Sequence, residues 1–261
     1  MSGQASKAGQ FRELHRPGNP LVLFNVWDAG STKAVIAGGA RAIATSSWSV
    51  AHANGFTDGE QLPLSLAIEN LRRIASVTEL PITVDLEGGY GESTQAVASC
   101  IALAIDAGAV GCNLEDSVPA DGRLRGAEEQ ALRIACARRI AADAGVPFFI
   151  NARSDVFLQR SAAQHDERMV ADALERAHRY ADAGADGLFT PGLVDIRLIG
   201  RLAAASRVPI NIMTQEDTPP LVALAEAGVA RVSHGPGPYL AAMSALEAAA
   251  RAASGSIVGS G

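Results

Sequence analysis

DAGAVGCNL, residues 106–114, is echoed later in the chain by DAGVPFFI (143–150), DAGADGLF (182–189) and EAGVARVS (226–233). Each stretch reads as a helix end, a glycine, and then a strand. The glycine falls where a left-handed helix C-cap is needed. The run after it is short and continuously apolar rather than alternating. Strands buried on both faces look like this, and they belong to parallel sheets covered by helices.

The same pattern extends in both directions. It predicts strands at 21–26, 41–46, 81–86, 109–114, 146–151, 185–190, 208–213 and 229–234. Between them lie alanine-rich stretches with helical periodicity, at 31–38, 64–78, 95–107, 127–143, 166–183, 195–206, 218–228 and 238–253. Eight such units in about 230 residues match a (β/α)8 TIM barrel. An open doubly wound sheet is the rival, but it seldom needs eight evenly spaced units, and the first strand lacks a GxGxxG turn. Residues 1–261 are read as one barrel domain, with 1–18 an N-terminal extension and 238–261 a terminal helix and tail.

Composition narrows the function classes. The chain is 48% hydrophobic, enough for a large core. Its net charge of -6 is spread over interspersed signs. No basic stripe points to nucleic acid or to an anionic membrane. No apolar run is long enough to span a bilayer, and the polar N-terminus lacks the apolar segment of a signal peptide. Cys100, Cys112 and Cys136 form no CxxC pair. They read as reduced, buried thiols, and a cytoplasmic location is expected.

In a TIM barrel the chemistry gathers at the C-terminal ends of the strands. Polar residues fall there: Asn25, Thr45 to Trp48, Asp85 with Glu87, Glu115 with Asp116, Asn151 with Arg153 and Asp155, Asn211, and Ser233 with His234. Strand three is the sharpest case. In VDLEGGYGE, Asp85 and Glu87 stand two apart on extended chain and share a face. Two carboxylates aimed together repel unless a proton or cation compensates. Glu115 arrives from the neighbouring strand, and an oxygen-only set of three suits Mg²⁺ or Mn²⁺. Neutralisation by arginines and backbone amides is the other reading of the same set. Arg153 is the natural anchor for an anionic ligand, or else the counter-charge of Glu115 and Asp155. Ser46 and Ser47 offer donors to an anion, or simply make a turn. His234 is an acid–base candidate or a structural strand-end histidine.

Together, NVWDAGSTKAV (25–35), TSSWSVA (45–51), Asp58 in GFTDGEQL, DLEGGYGE (85–92), NLEDS (113–117), NARSD (151–155) and PINIM (209–213) resemble the isocitrate lyase / phosphoenolpyruvate mutase superfamily over nearly the whole chain. The resemblance implies Mg²⁺ (or Mn²⁺) on Asp85, Glu87 and Glu115, with Asp58 near it partly through water. The family's usual residue at Glu87 is Asp. It implies that Ser46, Ser47 and Trp48 hold the 2-oxo carboxylate end of the substrate and that Arg153 and Asn211 contact it; Asp85 and His234 complete the expected substrate site, and Asp58, Glu115 and Arg153 are the expected catalytic residues. It also implies a homo-oligomer, dimer or tetramer, in which the last helix is swapped onto a neighbouring barrel.

Two family features are missing. The lyases carry a Lys-Lys/Arg-Cys-Gly-His loop after strand four, and the mutases a Lys-Thr-Asn-Ser-like one. Here that stretch reads EDSVPADGRLRGAEE (115–129), without Cys or His. The lyases' Glu after strand six is Pro191. The expected function is a Mg²⁺-dependent enzyme acting on a small 2-oxo acid through a metal-stabilised enolate, as a carbon–carbon lyase or decarboxylase. Phosphonomutase-type C–P chemistry and a non-catalytic 2-oxo acid binding protein are the alternatives.

Overall fold

The computed structural model, described over residues 3–255, holds eight parallel strands and ten α-helices. The strands are β1 Leu21–Leu23, β2 Ile43–Ala44, β3 Ile82–Asp85, β4 Gly111–Glu115, β5 Phe149–Arg153, β6 Gly187–Phe189, β7 Ile210–Met213 and β8 Arg231–Ser233. They run in the order β1-β8-β7-β6-β5-β4-β3-β2. The seam between β1 and β2 is closed by a single parallel bridge between Val26 and Thr45. There the Val26 N–H donates to the Ala44 carbonyl at 2.8 Å, and Asn25 Nδ2 donates to the Thr45 carbonyl at 2.8 Å. This is the (β/α)8 barrel that the strand pattern predicts.

The helices are α1 Gly3–Glu13, α2 Ala29–Ala37, α3 Ser47–Ala53, α4 Leu64–Ala75, α5 Thr94–Asp106, α6 Ala127–Asp143, α7 Glu167–Asp182, α8 Ile196–Ala205, α9 Leu221–Glu226 and α10 Gly237–Gly255. The recurrent glycines work as read. Gly108, Gly145, Gly184 and Gly228 have φ of 100°, 67°, 103° and 87°, a region that costs any residue with a Cβ. Each releases the chain from α5, α6, α7 or α9 into the next strand.

Two helices lack the expected periodic signal. The segment read as an extension, 1–18, contains α1, which buries Ala5, Ala8 and Phe11. It closes the N-terminal end of the barrel. Gln4 donates to the carbonyls of Ile105 and Ala109, both at 2.8 Å. Phe11 meets Phe149 edge-on at 5.5 Å, and His15 stacks on the same ring at 4.1 Å. Burial pushes His15 down to about 3, so it packs as a neutral ring. Gly111 is small because a Cβ there would lie 2.8 Å from the Phe149 carbonyl oxygen and 3.2 Å from the Phe11 ring. The second is α3, treated below.

All three cysteines are free and buried. No helix among the described residues is long and apolar enough to cross a membrane. Residues 1–2 and 256–261 lie outside the described residues, so the expected tail is seen only through Gly255.

Candidate active site

A cavity of about 170 Å³ opens at the C-terminal mouth of the barrel. Its polar wall comes from six connections: Asn25 after β1, Ser46 to Trp48 and Asp58 after β2, Asp85 and Asn113 on β3 and β4, Arg153 on β5, and Ser233 on β8. Leu158, Phe189, Pro191, Met213 and Pro236 supply the apolar wall.

The turn after β2 becomes the start of a helix because Ser46 caps it. The Ser46 hydroxyl accepts from the Ser49 N–H at 3.3 Å. That places the Ser47 N–H toward Asp85 Oδ2 at 3.4 Å and turns Trp48 into the cavity. Trp48 is braced by the His52 ring, stacked at 3.6 Å.

Asp85 is only weakly committed: its carboxylate accepts two long hydrogen bonds of 3.4 Å, from the N–H groups of Ser47 and Glu87. Asp58 stands beside it at the solvent-exposed rim. Partial desolvation and the Asp85 charge push the Asp58 carboxyl above the usual range. Burial, then the charges of Asp58 and Asp85, push Glu87 up to about 8. Glu115 is raised well above the carboxylate range by burial, against the pull of Arg153. Four carboxyl groups thus crowd one side of the mouth.

Glu87 and Glu115, expected as metal ligands, are not among the residues that line the cavity. Among the described residues, no three His, Cys, Asp or Glu side chains are grouped to hold a metal ion. Glu87 Oε2 is taken by the N–H groups of Gly59 at 2.8 Å and Glu60 at 2.7 Å. Its extra methylene carries the carboxylate past Asp85 to the neighbouring loop. Glu115 Oε2 pairs with Arg153 Nη1 at 2.7 Å. The donor chemistry still fits a hard, hydrated divalent cation. The donors are oxygen-only, mutually repelled carboxylates, and Asp85 is free to bind directly with Asp58 beside it.

Arg153 is the counter-charge of Glu115 and Asp155, and it also lines the cavity. Its Nε and Nη2 fork onto Asp155 at 2.6 and 3.0 Å, while Nη1 takes Glu115. Burial would lower its pKa, but the charges of Glu115 and Asp155 outweigh that and raise it. The result is a permanently charged guanidinium locked in the cavity wall, over the Phe189 ring at 5.9 Å. Asp116 is structural. It accepts from Ser154 and Tyr180 at 2.8 Å, and from the Asp155 N–H at 3.0 Å.

Asn211 and His234 do not line the cavity. Asn211 sits a layer beneath, where its Oδ1 accepts from Asn151 at 3.0 Å and its Nδ2 donates to Ser233 at 3.2 Å. His234 follows Ser233 on β8, so its ring faces the other way, against Phe24 at 5.1 Å and Thr214 at 3.1 Å. Ser233, Gly235 and Pro236 form the wall there instead. Asn113 was missed, although it stands two before Glu115 and therefore shares its face. It accepts from Asn151 at 2.9 Å and from Arg231 at 3.3 Å. Arg231 was missed too. It is buried in the barrel interior without a carboxylate at ion-pair distance among the described residues, and burial pushes it down to about 9. The apolar lining carries no local motif.

The loop 117–126 takes a course of its own. Ser117 and Leu124 form an antiparallel bridge, and Arg125 is buried and paired with Glu129 at 2.9 Å. None of its residues lines the cavity.

Residues 11–254 match the family model described as phosphoenolpyruvate phosphomutase. The chain belongs to that family, within the phosphoenolpyruvate mutase / isocitrate lyase superfamily. Its relatives there include lyases and mutases that act on carboxylates. A solved structure from Burkholderia cenocepacia J2315, described as a putative phosphonomutase, is similar at 56% identity with TM-score 0.93, covering 97% of this chain and 99% of that one. An uncharacterized protein of Mycobacterium tuberculosis is 35% identical over 94% of this chain and 88% of its own length. The 2-methylisocitrate lyase of Salmonella typhimurium is 31% identical over 80% of this chain and 68% of its own length.

Proposed function

We propose that this family member is a Mg²⁺-dependent carbon–carbon lyase or decarboxylase acting on a small 2-oxo acid. One observation carries the reading. The uncommitted Asp85 carboxylate and the locked Arg153 guanidinium share the wall of one small cavity. They are a cation handle and an anion handle for the same ligand. The cavity volume of about 170 Å³ lies below the roughly 300–1,000 Å³ of drug-sized sites and suits a small acid.

When bound at Asp85, Mg²⁺ or Mn²⁺ would supply positive charge for the enolate that such a cleavage generates. The chain's own groups do the rest. Arg153 fixes the carboxylate end of the acid. Trp48, Leu158 and Phe189 exclude water around the bond that breaks. Pro191 and the loop 117–126 bring no acid–base side chain to the cavity. This favours decarboxylation, in which solvent can protonate the product, over cleavages that need a placed acid. Purified protein with Mg²⁺ is expected to turn over oxaloacetate or a 2-alkylmalate above the metal-only rate. Turnover of none of them would sink the reading. The similarity to a structure described as a putative phosphonomutase supports C–P chemistry as the alternative, and a changed phosphorus NMR signal with phosphonopyruvate would establish it.

A homo-oligomer built on the last helix is part of the same proposal. Along α10, Leu240 is 50% and Leu246 62% exposed. An apolar groove of about 470 Å³, lined by Val22, Phe24, Val35 and Ala40, stays open beside β1. A second copy's α10 is the occupant proposed, because the same chain supplies both a bare helix and a bare groove. Light scattering is expected to show a dimer or tetramer, and a monomer alone would exclude the swap.

A further inference from the structure

We infer that Glu87 and Glu60 form a reciprocal carboxylate–amide clasp that holds Asp58 in the cavity wall, making them positioning residues. The inference rests on the proposed ligand site only for its functional consequence.

The geometry is reciprocal. The loop carrying Asp58 gives the N–H groups of Gly59 and Glu60 to the Glu87 carboxylate, at 2.8 and 2.7 Å. In return, the Glu60 carboxylate accepts the Tyr90 N–H at 2.7 Å, on the loop that carries Glu87. Glu60, Glu87 and Tyr90 have φ of 61°, 50° and 56°, and they are the non-glycine residues of positive φ among the described residues. Left-handed backbone at such residues costs free energy and persists only where the surroundings over-determine it. Here all three fall within one pair of loops and are joined by the clasp.

Each loop is also anchored from behind. The Glu87 carbonyl accepts the Glu115 N–H at 2.9 Å, continuing the β3–β4 ladder. The Arg133 guanidinium, from α6, binds the carbonyls of Gly88, Gly91 and Glu92. Gly88 keeps the approach open, since a Cβ there would lie 3.0 Å from Glu60 Oε1. The clasp therefore ties the exposed loop 58–60 to the rigid barrel, and Asp58 is the residue next to the tied amides.

Side-chain length decides the outcome. An aspartate at position 87 would end about 1.5 Å short, beyond hydrogen-bond reach of both amides. A glutamine would keep the reach and an acceptor oxygen. Ligand and clasp roles thus predict opposite orders for the same two variants. The experiment uses full-length Glu87→Gln, Glu87→Asp and Glu60→Ala. It measures amide hydrogen exchange of segments 56–62 and 88–92 in metal-free protein, and calorimetric binding of oxalate with Mg²⁺.

The clasp predicts that Glu87→Gln stays within about threefold of the parent in both readouts. Glu87→Asp is expected to speed exchange in 56–62 and weaken oxalate binding, each by about tenfold, with an unchanged melting temperature. Glu60→Ala is expected to open 88–92 to the same extent. Two results overturn it: exchange unaffected by Glu87→Asp, or Mg²⁺–oxalate affinity lost in Glu87→Gln and kept in Glu87→Asp. If Glu87→Asp does not fold, Glu60→Ala decides on exchange alone. Absence of Mg²⁺-dependent oxalate binding in the parent protein would refute the proposed function, while metal-free exchange would still decide the clasp.

Discussion

Replacing Asp85 with alanine is expected to abolish Mg²⁺-dependent binding of oxalate, a loss of more than about 100-fold, and to leave the fold intact. The two halves of that result have separate causes. Asp85 is a cavity carboxylate whose hydrogen bonds are both long, and it stands on the barrel strand with Asp58 beside it, so it is the expected direct ligand of a cation. The same lack of close partners means that its removal costs little in folding. It relieves Asp58, Glu87 and Glu115, each of which is pushed up by the Asp85 charge, and it withdraws favourable charge from buried Arg231 and Arg153. These effects oppose each other, and a melting temperature near the parent value is expected alongside the lost binding. Calorimetric titration of the alanine variant checks the first half and thermal unfolding the second. Undiminished binding would refute the assignment of the cation to Asp85.

Arg153→Met should fail on both counts. Glu115 and Asp155 are 8% and 4% exposed, and both depend on this guanidinium. Breaking a buried pair by removing one partner costs about 3–5 kcal/mol, because the remaining charge is left uncompensated. Denaturant unfolding should show a loss of that size, reduced to the extent that Glu115 takes up a proton. Loss of the anion handle should also weaken oxalate binding by about 30-fold or more. The double variant Glu115→Gln, Arg153→Met separates the two effects. It should regain part of the stability, since one of the two stranded charges is gone and Asp155 remains, but none of the binding. Recovery of binding in the double variant would show that Arg153 acts only as a counter-charge.

The barrel was legible because its signals are local and repeated. A glycine after each helix and a continuous apolar run after each glycine need no tertiary information. The location of the site followed from the same reading, since polar residues cluster at one end of every strand. Asp85, Arg153, Asp58 and Ser46 to Trp48 line one cavity at that end. The failures are equally specific. Helix α1 escaped notice because its contacts, with Phe149 and with the carbonyls of Ile105 and Ala109, lie more than 90 residues away. His234 lies outside the cavity because successive side chains of a strand alternate in direction: once Ser233 faces inward, its neighbour cannot.

The carboxylate cluster marks where the sequence stops. By itself it determined the fold, the end of the barrel that carries chemistry, and the presence of more acidic groups there than can coexist unpaired. Which carboxylates stay available was decided only by the tertiary structure. Glu87 finds the amides of Gly59 and Glu60, Glu115 finds Arg153, and Asp85 is left with two long contacts beside Asp58. The physical reason is reach. A hydrogen bond or ion pair forms within about 3 Å or not at all. Spacing along the chain says which residues share a face, but not which partner from another loop arrives within that distance.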